Sequence, residues 1–356
     1  QRLVQEQGAR DDRPGRNQVI DEGQEGRARA LDESEIHERR DARAERAEEQ
    51  HCQQGAAARA VLPAAAAVRC HVGVAARQDL AETAAEQVAH RARAHHPDQL
   101  DLIDIGANLA HDSFDDDREA MMQRAAAAGV TTMIVTGSSD ASNQRAAALA
   151  EAHPGTLYST AGVHPHHAAD YSDASDALIR SLVENPVVVA VGECGLDYFR
   201  NFSPRDAQLD AFRRQLDIAK DTGLPVFLHQ RDAHDDFVEI LESALPEISR
   251  AVAHCFTGEH EALREYLAMG LYIGIAGWIC DERRGTHMKA FMKDIPADRL
   301  MIETDAPYLT PHPFRGKRNE PAYVRYVAEK IASLRGYPVE EVGAFTSRNA
   351  KNLFDW

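Results

Sequence analysis

The sequence predicts that residues 101–356 form a (β/α)₈ barrel, an α/β fold in which eight parallel strands close into a ring. Eight short apolar segments rich in β-branched residues alternate with amphipathic segments in this region. Strands that are apolar along nearly their whole length and alternate with helices indicate a parallel sheet. Eight such units in about 250 residues match the size of a closed barrel.

The strands are predicted at residues 102–105, 132–135, 157–161, 187–191, 225–228, 251–253, 271–275 and 299–302. The clearest helix follows Ser203, the predicted N-cap, with Pro204 as first helical residue and Gly223 as its end. One face of this helix is apolar at helical spacing, at Leu209, Phe212, Leu216 and Ala219. An open, doubly wound sheet is the alternative, but no glycine fingerprint follows the first strand.

Residues 1–100 differ sharply from the rest. They contain no Phe, Trp, Tyr, Met or Lys, and Ile only at positions 20 and 36. Such a segment buries too little apolar surface to offset the entropy of ordering it. Two hypotheses remain open: a disordered tail, or GC-rich DNA translated upstream of the natural start, which peptides from before residue 90 would contradict.

Charge and cysteine content narrow the class of protein. The net charge is −17, of which residues 1–100 contribute −3, with 15 Arg and 18 acidic residues. This acidity argues against duplex binding through a broad basic face, although a local arginine cluster remains compatible with a phosphate-binding site. Five cysteines without a Cys-x-x-Cys pair, and no long apolar run, predict a soluble cytoplasmic protein without membrane association.

Polar side chains follow five of the predicted strands: His164, Glu193, His229, His254 and Asp305. The loops after the strands of a barrel open on one rim, so residues distant in sequence converge there. Carboxylates and imidazoles together form a mixed nitrogen and oxygen site that suits a divalent cation. Strand alternation further predicts that Cys194 and Cys255, each directly after such a residue, turn away and pack in the core.

Seven motifs occur in a fixed order: GVHPH, GECGLD, FLHQRD, HCFTG, GWICDERRG, ETDAPY and RNEP. In this order they resemble the TatD family of metal-dependent deoxyribonucleases, over essentially all of residues 101–356 and none of residues 1–100. The resemblance implies a TIM barrel of the amidohydrolase-like kind, a divalent metal, and hydrolysis of nucleic-acid phosphodiester bonds.

The resemblance also assigns roles to the residues after the strands. Glu193, His229 and His254 match the metal ligands of the family. Asp305 matches the aspartate that lies beside the metal and handles the attacking water. His164 matches the histidine that faces the substrate phosphate.

One departure concerns the first strand. Most members have Asp-Thr-His-x-His there, whereas this chain has Asp104-Ile105-Gly106-Ala107-Asn108. Both histidines are absent, as in the branch nearest to TatD itself. We therefore expect one firm metal site and at most one weak site, with an oxygen donor from Asn108 that favours Mg²⁺ over Zn²⁺ or Mn²⁺.

Further residues of the rim are candidates for substrate binding. Arg231, Arg283 and Arg318, with Arg284, Arg315 and Lys317, together predict an electropositive patch for backbone phosphates, although each alone also suits a solvated surface. His166 either assists at the phosphate or caps its loop. Four aromatic residues offer base stacking or simple loop packing: Phe199, Phe202, Trp278 and Tyr308.

The leading functional expectation is a 3′-5′ exonuclease on single-stranded DNA or RNA, as the family resemblance implies. Two alternatives stay open. A metal barrel of this kind also suits hydrolysis of a small ester, lactone or aminoacyl group. The missing histidines of strand 1 also allow a non-catalytic scaffold. No obligate protein partner is evident, and we expect a monomer.

Overall fold

The computed structural model describes residues 100–356. Apart from Leu100, the expectations for residues 1–100 concern a segment outside the described residues. Within residues 100–356, no helix combines the length and the apolar character needed to cross a membrane.

Eight parallel strands follow one another around a single sheet in chain order. They are β1 (Leu102–Ala107), β2 (Val130–Val135), β3 (Leu157–Ala161), β4 (Val188–Asp197), β5 (Val226–Arg231), β6 (Ala251–Ala253), β7 (Tyr272–Ile275) and β8 (Leu300–Ile302). A parallel bridge from Ala107 to Ala306 joins the ends of β1 and β8. The predicted barrel is confirmed, and the alternative of an open sheet is wrong, because the first strand meets the last.

The helices of the described residues follow the strands and form the outer layer. They are α1 (Arg118–Ala127), α2 (Asp140–Ala152), α3 (Asp173–Leu182), α4 (Arg205–Thr222), α5 (His234–Ala244), α6 (His260–Ala268), α7 (Thr286–Phe291), α8 (Val324–Arg335) and α9 (Val339–Phe354).

Helix α4 shows the predicted apolar face and a one-residue correction at its start. Phe212 is fully buried on that face, and Gly223 ends the helix in the left-handed conformation, with φ of 72°. The helix begins at Arg205, with Pro204 as N-cap, so the predicted cap by Ser203 is wrong. The Ser203 hydroxyl instead donates to the carbonyl oxygen of His166 at 3.0 Å and accepts from the Ala169 amide at 3.0 Å. It therefore ties the loop after β3 to the loop after β4.

The apolar residues of the barrel form two clusters that alternate along the strands. Ile103 and Ile105 of β1 pack with Phe227 in one cluster, whereas their neighbour Leu102 packs in the larger cluster with the surrounding helices. Helix α9 contributes Phe354 to the smaller cluster. Such packing leaves a filled barrel, so the polar side chains collect at the mouth where the strands end.

Candidate metal centre

Three residues from three strand ends meet at the mouth of the barrel. The Glu193 Oε1 atom lies 2.7 Å from His254 Nε2 and 3.0 Å from His229 Nδ1. Strand β4 runs on to Asp197 and strand β5 to Arg231, and their pairing holds Glu193 beside His229. Residues 61 positions apart in sequence therefore lie in direct contact.

The two ring nitrogens of His254 face different carboxylates. Nε2 faces Glu193, and Nδ1 lies 3.2 Å from Oε2 of the fully buried Glu303. The other oxygen of Glu303 accepts the backbone amide of Cys255. Because Glu303 accepts a hydrogen bond from Nδ1, Nε2 is the nitrogen of His254 that faces Glu193 and would bind a metal once its own proton is lost.

Glu303 was not among the residues predicted for the site. A Cβ atom on Gly106 would come within 2.5 Å of Glu303 Oε2, and one on Gly274 within 2.5 Å of Oε1. The carboxylate therefore lies between two positions that lack side chains. A side chain at position 106 would collide with this carboxylate, so the glycine of β1 and the place of Glu303 are connected. The signal that could have identified Glu303 from the sequence is an acidic residue directly after an apolar strand.

His229 presents its Nδ1 atom to Glu193. Its Nε2 atom is buried and has no hydrogen-bond partner among the described residues, although Asp197 Oδ2 lies 3.5 Å away. Asp197 itself is held by His166 Nε2 at 2.8 Å and by the Arg200 amide at 2.8 Å. The Asp197 carboxylate thus lies on the side of the imidazole opposite Glu193.

His164 differs from His229 and His254 in its protonation state, because its ring is neutral. Its Nδ1 atom accepts the backbone amide of His166 at 3.0 Å. Burial, together with the neighbouring imidazoles, holds the pKa of His164 well below its usual range in spite of Glu193. The neutral ring therefore carries its proton on Nε2, which lies 3.4 Å from Glu193 Oε1. It presents an N–H donor to the centre, and His164, rather than His166, caps the loop after β3.

Asp305 lies at the edge of the centre with a positive φ of 53°. Its Oδ1 atom accepts the side-chain amide of Asn108 at 3.0 Å, so the amide of Asn108 faces Asp305. Burial raises the pKa of Asp305 to about 7, with Glu193 and Glu303 acting in the same direction and His254 opposing them.

The charges of the centre are strongly coupled. Burial alone raises the pKa of Glu193, but His254, His164 and His229 outweigh it and hold that pKa well below its usual range. Burial opposes a charge on His254 too, yet Glu193 and Glu303 hold its pKa well above its usual range. The imidazoles thus surround one carboxylate, and His254 carries a proton that a cation would replace. This mixed donor set of a carboxylate and imidazole nitrogens fits a divalent metal.

A cavity of about 620 Å³ opens above the centre. Its lining includes Asn108, His164, His166, Glu193, Arg231, His254, Asp305 and Tyr308. Cys255 lines it as well, and the prediction that this residue turns away is wrong. β6 ends at Ala253 and Cys255 has a φ of 49°, so strand alternation no longer applies. Cys194 packs in the core, as predicted.

The predicted arginines occupy three different environments. Arg231 lines the cavity and lies 3.8 Å above the ring centre of Phe199. Arg283 is exposed in the loop after β7 and lies outside the lining of the cavity. Arg318 also lies outside that lining, and two of its nitrogens donate to Asp117 at 2.7 and 2.8 Å. Of the three, Arg231 lies best for contact with a substrate in the cavity.

Comparison with known proteins identifies the family of this chain. The family model described as TatD related DNase matches residues 103–355. The chain belongs to the TatD family. The 3′-5′ ssDNA/RNA exonuclease TatD of Erwinia tasmaniensis is 48% identical over 258 residues, which are 71% of this chain and 100% of that protein. The protein of the same description from Pantoea sp. (strain At-9b) is 49% identical over 257 residues, 71% of this chain and 99% of the relative.

Solved structures show the same fold. The crystal structure of a TatD homologue from Escherichia coli K12 is similar with a TM-score of 0.68 and 32% identity, covering 72% of this chain and 99% of that one. A TatD family hydrolase from Entamoeba histolytica is similar with a TM-score of 0.65 and 26% identity, covering 72% of this chain and 98% of that one. The TatD family and the donor set support a divalent metal at this centre.

Proposed function

We propose that this TatD-family protein is a metal-dependent exonuclease that removes nucleotides from the 3′ ends of single-stranded DNA or RNA. The observation that carries the proposal is the meeting of Glu193 with three imidazoles under an open cavity. The relatives of nearly half-identical sequence that are called 3′-5′ ssDNA/RNA exonucleases match this chain over almost their whole length, which supports the same activity.

Glu193, His229 and His254 are the proposed metal ligands, with Asp305 at the edge of the site. Mg²⁺ is our first choice of ion because Asp305 and Asn108 add oxygen donors to the carboxylate; Mn²⁺ shares this preference for oxygen, whereas Zn²⁺ would rely more on the imidazoles. When bound, the cation supplies Lewis-acid polarisation of a phosphate oxygen. Glu303 accepts a hydrogen bond from His254 on the far side of its ring, and Asp197 lies 3.5 Å from Nε2 of His229.

Asp305 is the proposed general base for the attacking water. Its carboxylate lines the cavity at the edge of the centre, where it lies within reach of a water that attacks a bound phosphate. The amide of Asn108 fixes the direction of one carboxylate oxygen and leaves the other for the water.

His164 is the proposed donor to a phosphate oxygen, because its Nε2 proton faces the centre. A preorganised donor of this kind stabilises charge that develops in the transition state. His166, which is held by Asp197, is proposed to assist from the wall of the cavity. For Arg283 and Arg318, substrate binding stays a prediction.

Unpaired bases have aromatic surfaces available at the mouth. Phe202 is 67% exposed and Tyr308 is 52% exposed, and both line the cavity. Stacking on exposed aromatic rings requires bases that are not paired in a duplex, which favours single strands.

The test is digestion of a 5′-labelled single-stranded oligonucleotide, with its duplex as a parallel substrate. We expect stepwise shortening from the 3′ end with Mg²⁺, none with EDTA, and little digestion of the duplex. Glu193→Gln should abolish the activity, whereas Glu340→Gln, which changes an exposed residue of α9, is the matched control. Undiminished digestion in EDTA, or hydrolysis of small esters alone, would overturn the proposal.

We also propose that the protein works as a monomer in the reducing cytoplasm. Cys194, Cys255 and Cys280 are free thiols among the described residues, which suits a reducing compartment. Light scattering after gel filtration tests the monomer, and a dimer mass would contradict it.

A further inference from the structure

A second, smaller hollow adjoins the catalytic cavity. Its volume is about 170 Å³, and it lies between the loop after β7 and the loop after β8. Trp278 and Leu309 line both spaces, so the two adjoin at these side chains. We call this smaller space the side hollow.

The side hollow has a positive balance of charge. Arg284 and Arg315 line it together with one acid, Asp281. Arg315 lies 3.5 Å from Asp281, whose other oxygen accepts the backbone amides of Arg283 and Arg284. Within residues 100–356, the guanidinium of Arg284 has no ion-pair partner and lies 5.5 Å from the ring centre of Trp278. In a protein of net charge −17, two guanidinium groups against one carboxylate form a distinctly anion-attracting site.

The loops around the side hollow are in close backbone contact. A Cβ atom on Gly277 would collide with the carbonyl oxygen of Leu309, and one on Gly285 with the carbonyl oxygen of Trp278. Neither glycine therefore leaves room for another residue without movement of the main chain. The shape of the side hollow is set by main-chain packing and exists before any ligand binds.

Size and chemistry point to one class of ligand. Ligand pockets for whole small molecules usually measure about 300–1,000 Å³, so 170 Å³ is too little for a complete nucleotide. It is enough for a phosphate group and the adjoining part of a sugar. Guanidinium groups bind phosphate with paired hydrogen bonds, a geometry that lysine lacks.

We propose that the side hollow binds the backbone phosphate next to the scissile one, through Arg284 and Arg315. This inference rests on the proposed exonuclease function, in which the cavity holds the terminal nucleotide. The strand then leaves the cavity past Trp278 and Leu309. A substrate with two phosphates gains a contact that a mononucleotide lacks.

The experiment compares binding of fluorescent oligothymidylates with one, two or three internucleotide phosphates, measured by anisotropy in EDTA. The wild-type protein should bind the ligand with two phosphates at least about tenfold more tightly than the ligand with one, since the added contact is charge-assisted. In the double variant Arg284→Gln/Arg315→Gln that gain should disappear. The salt dependence of binding should also weaken, with a log–log slope smaller by about 0.7 for one lost contact.

Arg299→Gln is the matched control, because Arg299 precedes β8 at the opposite end of the barrel and should keep the whole gain. Digestion of a single-stranded oligonucleotide by the wild-type protein runs in parallel. A wild type that digests the strand and a double variant that keeps the gain would overturn the side-hollow inference alone. A wild type that fails to digest the strand would overturn the proposed function and this inference with it.

Discussion

The Glu303 carboxylate lies 3.2 Å from Nδ1 of His254, on the side of the ring that faces away from Glu193. This contact sets which nitrogen of His254 is free for a metal. It also explains why β1 has a glycine at position 106, since the carboxylate occupies the space that a side chain there would fill.

We expect Glu303→Gln to weaken metal binding about 10- to 100-fold, the usual effect of removing the partner behind a histidine ligand. The amide keeps the volume of the carboxylate but loses its charge, so the Nδ1 proton of His254 is held less well. Titration with Mn²⁺ measures the change. Wild-type affinity in a folded Glu303→Gln protein would show that the contact does not direct the histidine.

Gly106→Ala should lower the free energy of unfolding by about 1–3 kcal/mol, as overpacking of a dense core does. The new methyl group would lie 2.5 Å from Glu303 Oε2 and 3.0 Å from Phe227 Cζ. A double-mutant cycle with Glu303→Ala isolates the clash, because neighbouring residues deviate from additivity. Gly106→Ala should lower the free energy of unfolding less in the Glu303→Ala background than in the wild type. An equal decrease in both backgrounds would mean that the strain does not come from the contact with Glu303.

Asp104 should make the protein less stable as the pH rises. It is fully buried, and burial raises its pKa to about 8, against hydrogen bonds from Thr304 and Gly106. The folded state therefore binds a proton that the unfolded state releases above its ordinary pKa of 3.8. This stabilisation is complete below that pKa and is lost as the pH rises through about 8.

Asp104→Asn removes this titration while its amide oxygen still accepts from the Thr304 amide, as Asp104 Oδ1 does at 2.9 Å. Urea unfolding at pH 6 and pH 9 provides the measurement. The wild type should lose more stability between these values than Asp104→Asn. Identical losses would mean that Asp104 is charged throughout.

Two arginines of the rim should respond differently to the same substitution. Arg231→Gln should raise KM for a single-stranded oligonucleotide about tenfold, since Arg231 lines the cavity and has no ion-pair partner within residues 100–356. Arg318→Gln should change KM less than about twofold, because Arg318 is already paired with Asp117 through two hydrogen bonds. Equal increases in KM for the two variants would contradict the expectation that Arg231 contributes more to substrate binding than Arg318.

Sequence reasoning succeeded where the signal repeats along the chain. Eight apolar segments predicted all eight strands, although β4 runs on to Asp197, six residues beyond its predicted end. Position after a strand singled out Glu193, His229 and His254 but missed Glu303. Sequence reasoning was wrong where a side chain bonds across loops or a strand stops early. Ser203 binds the loop of His166 instead of capping α4, and Cys255 lies beyond the end of β6.

The amino-acid sequence by itself determined that a closed parallel barrel would form and which polar residues would stand at its mouth, because periodicity and position after a strand are local properties. Tertiary structure alone decided that Glu303 lies behind His254, that His164 presents a proton and that Arg318 is paired with Asp117. The physical reason is that a hydrogen bond depends on distance and direction between atoms far apart in the chain, which no local pattern encodes.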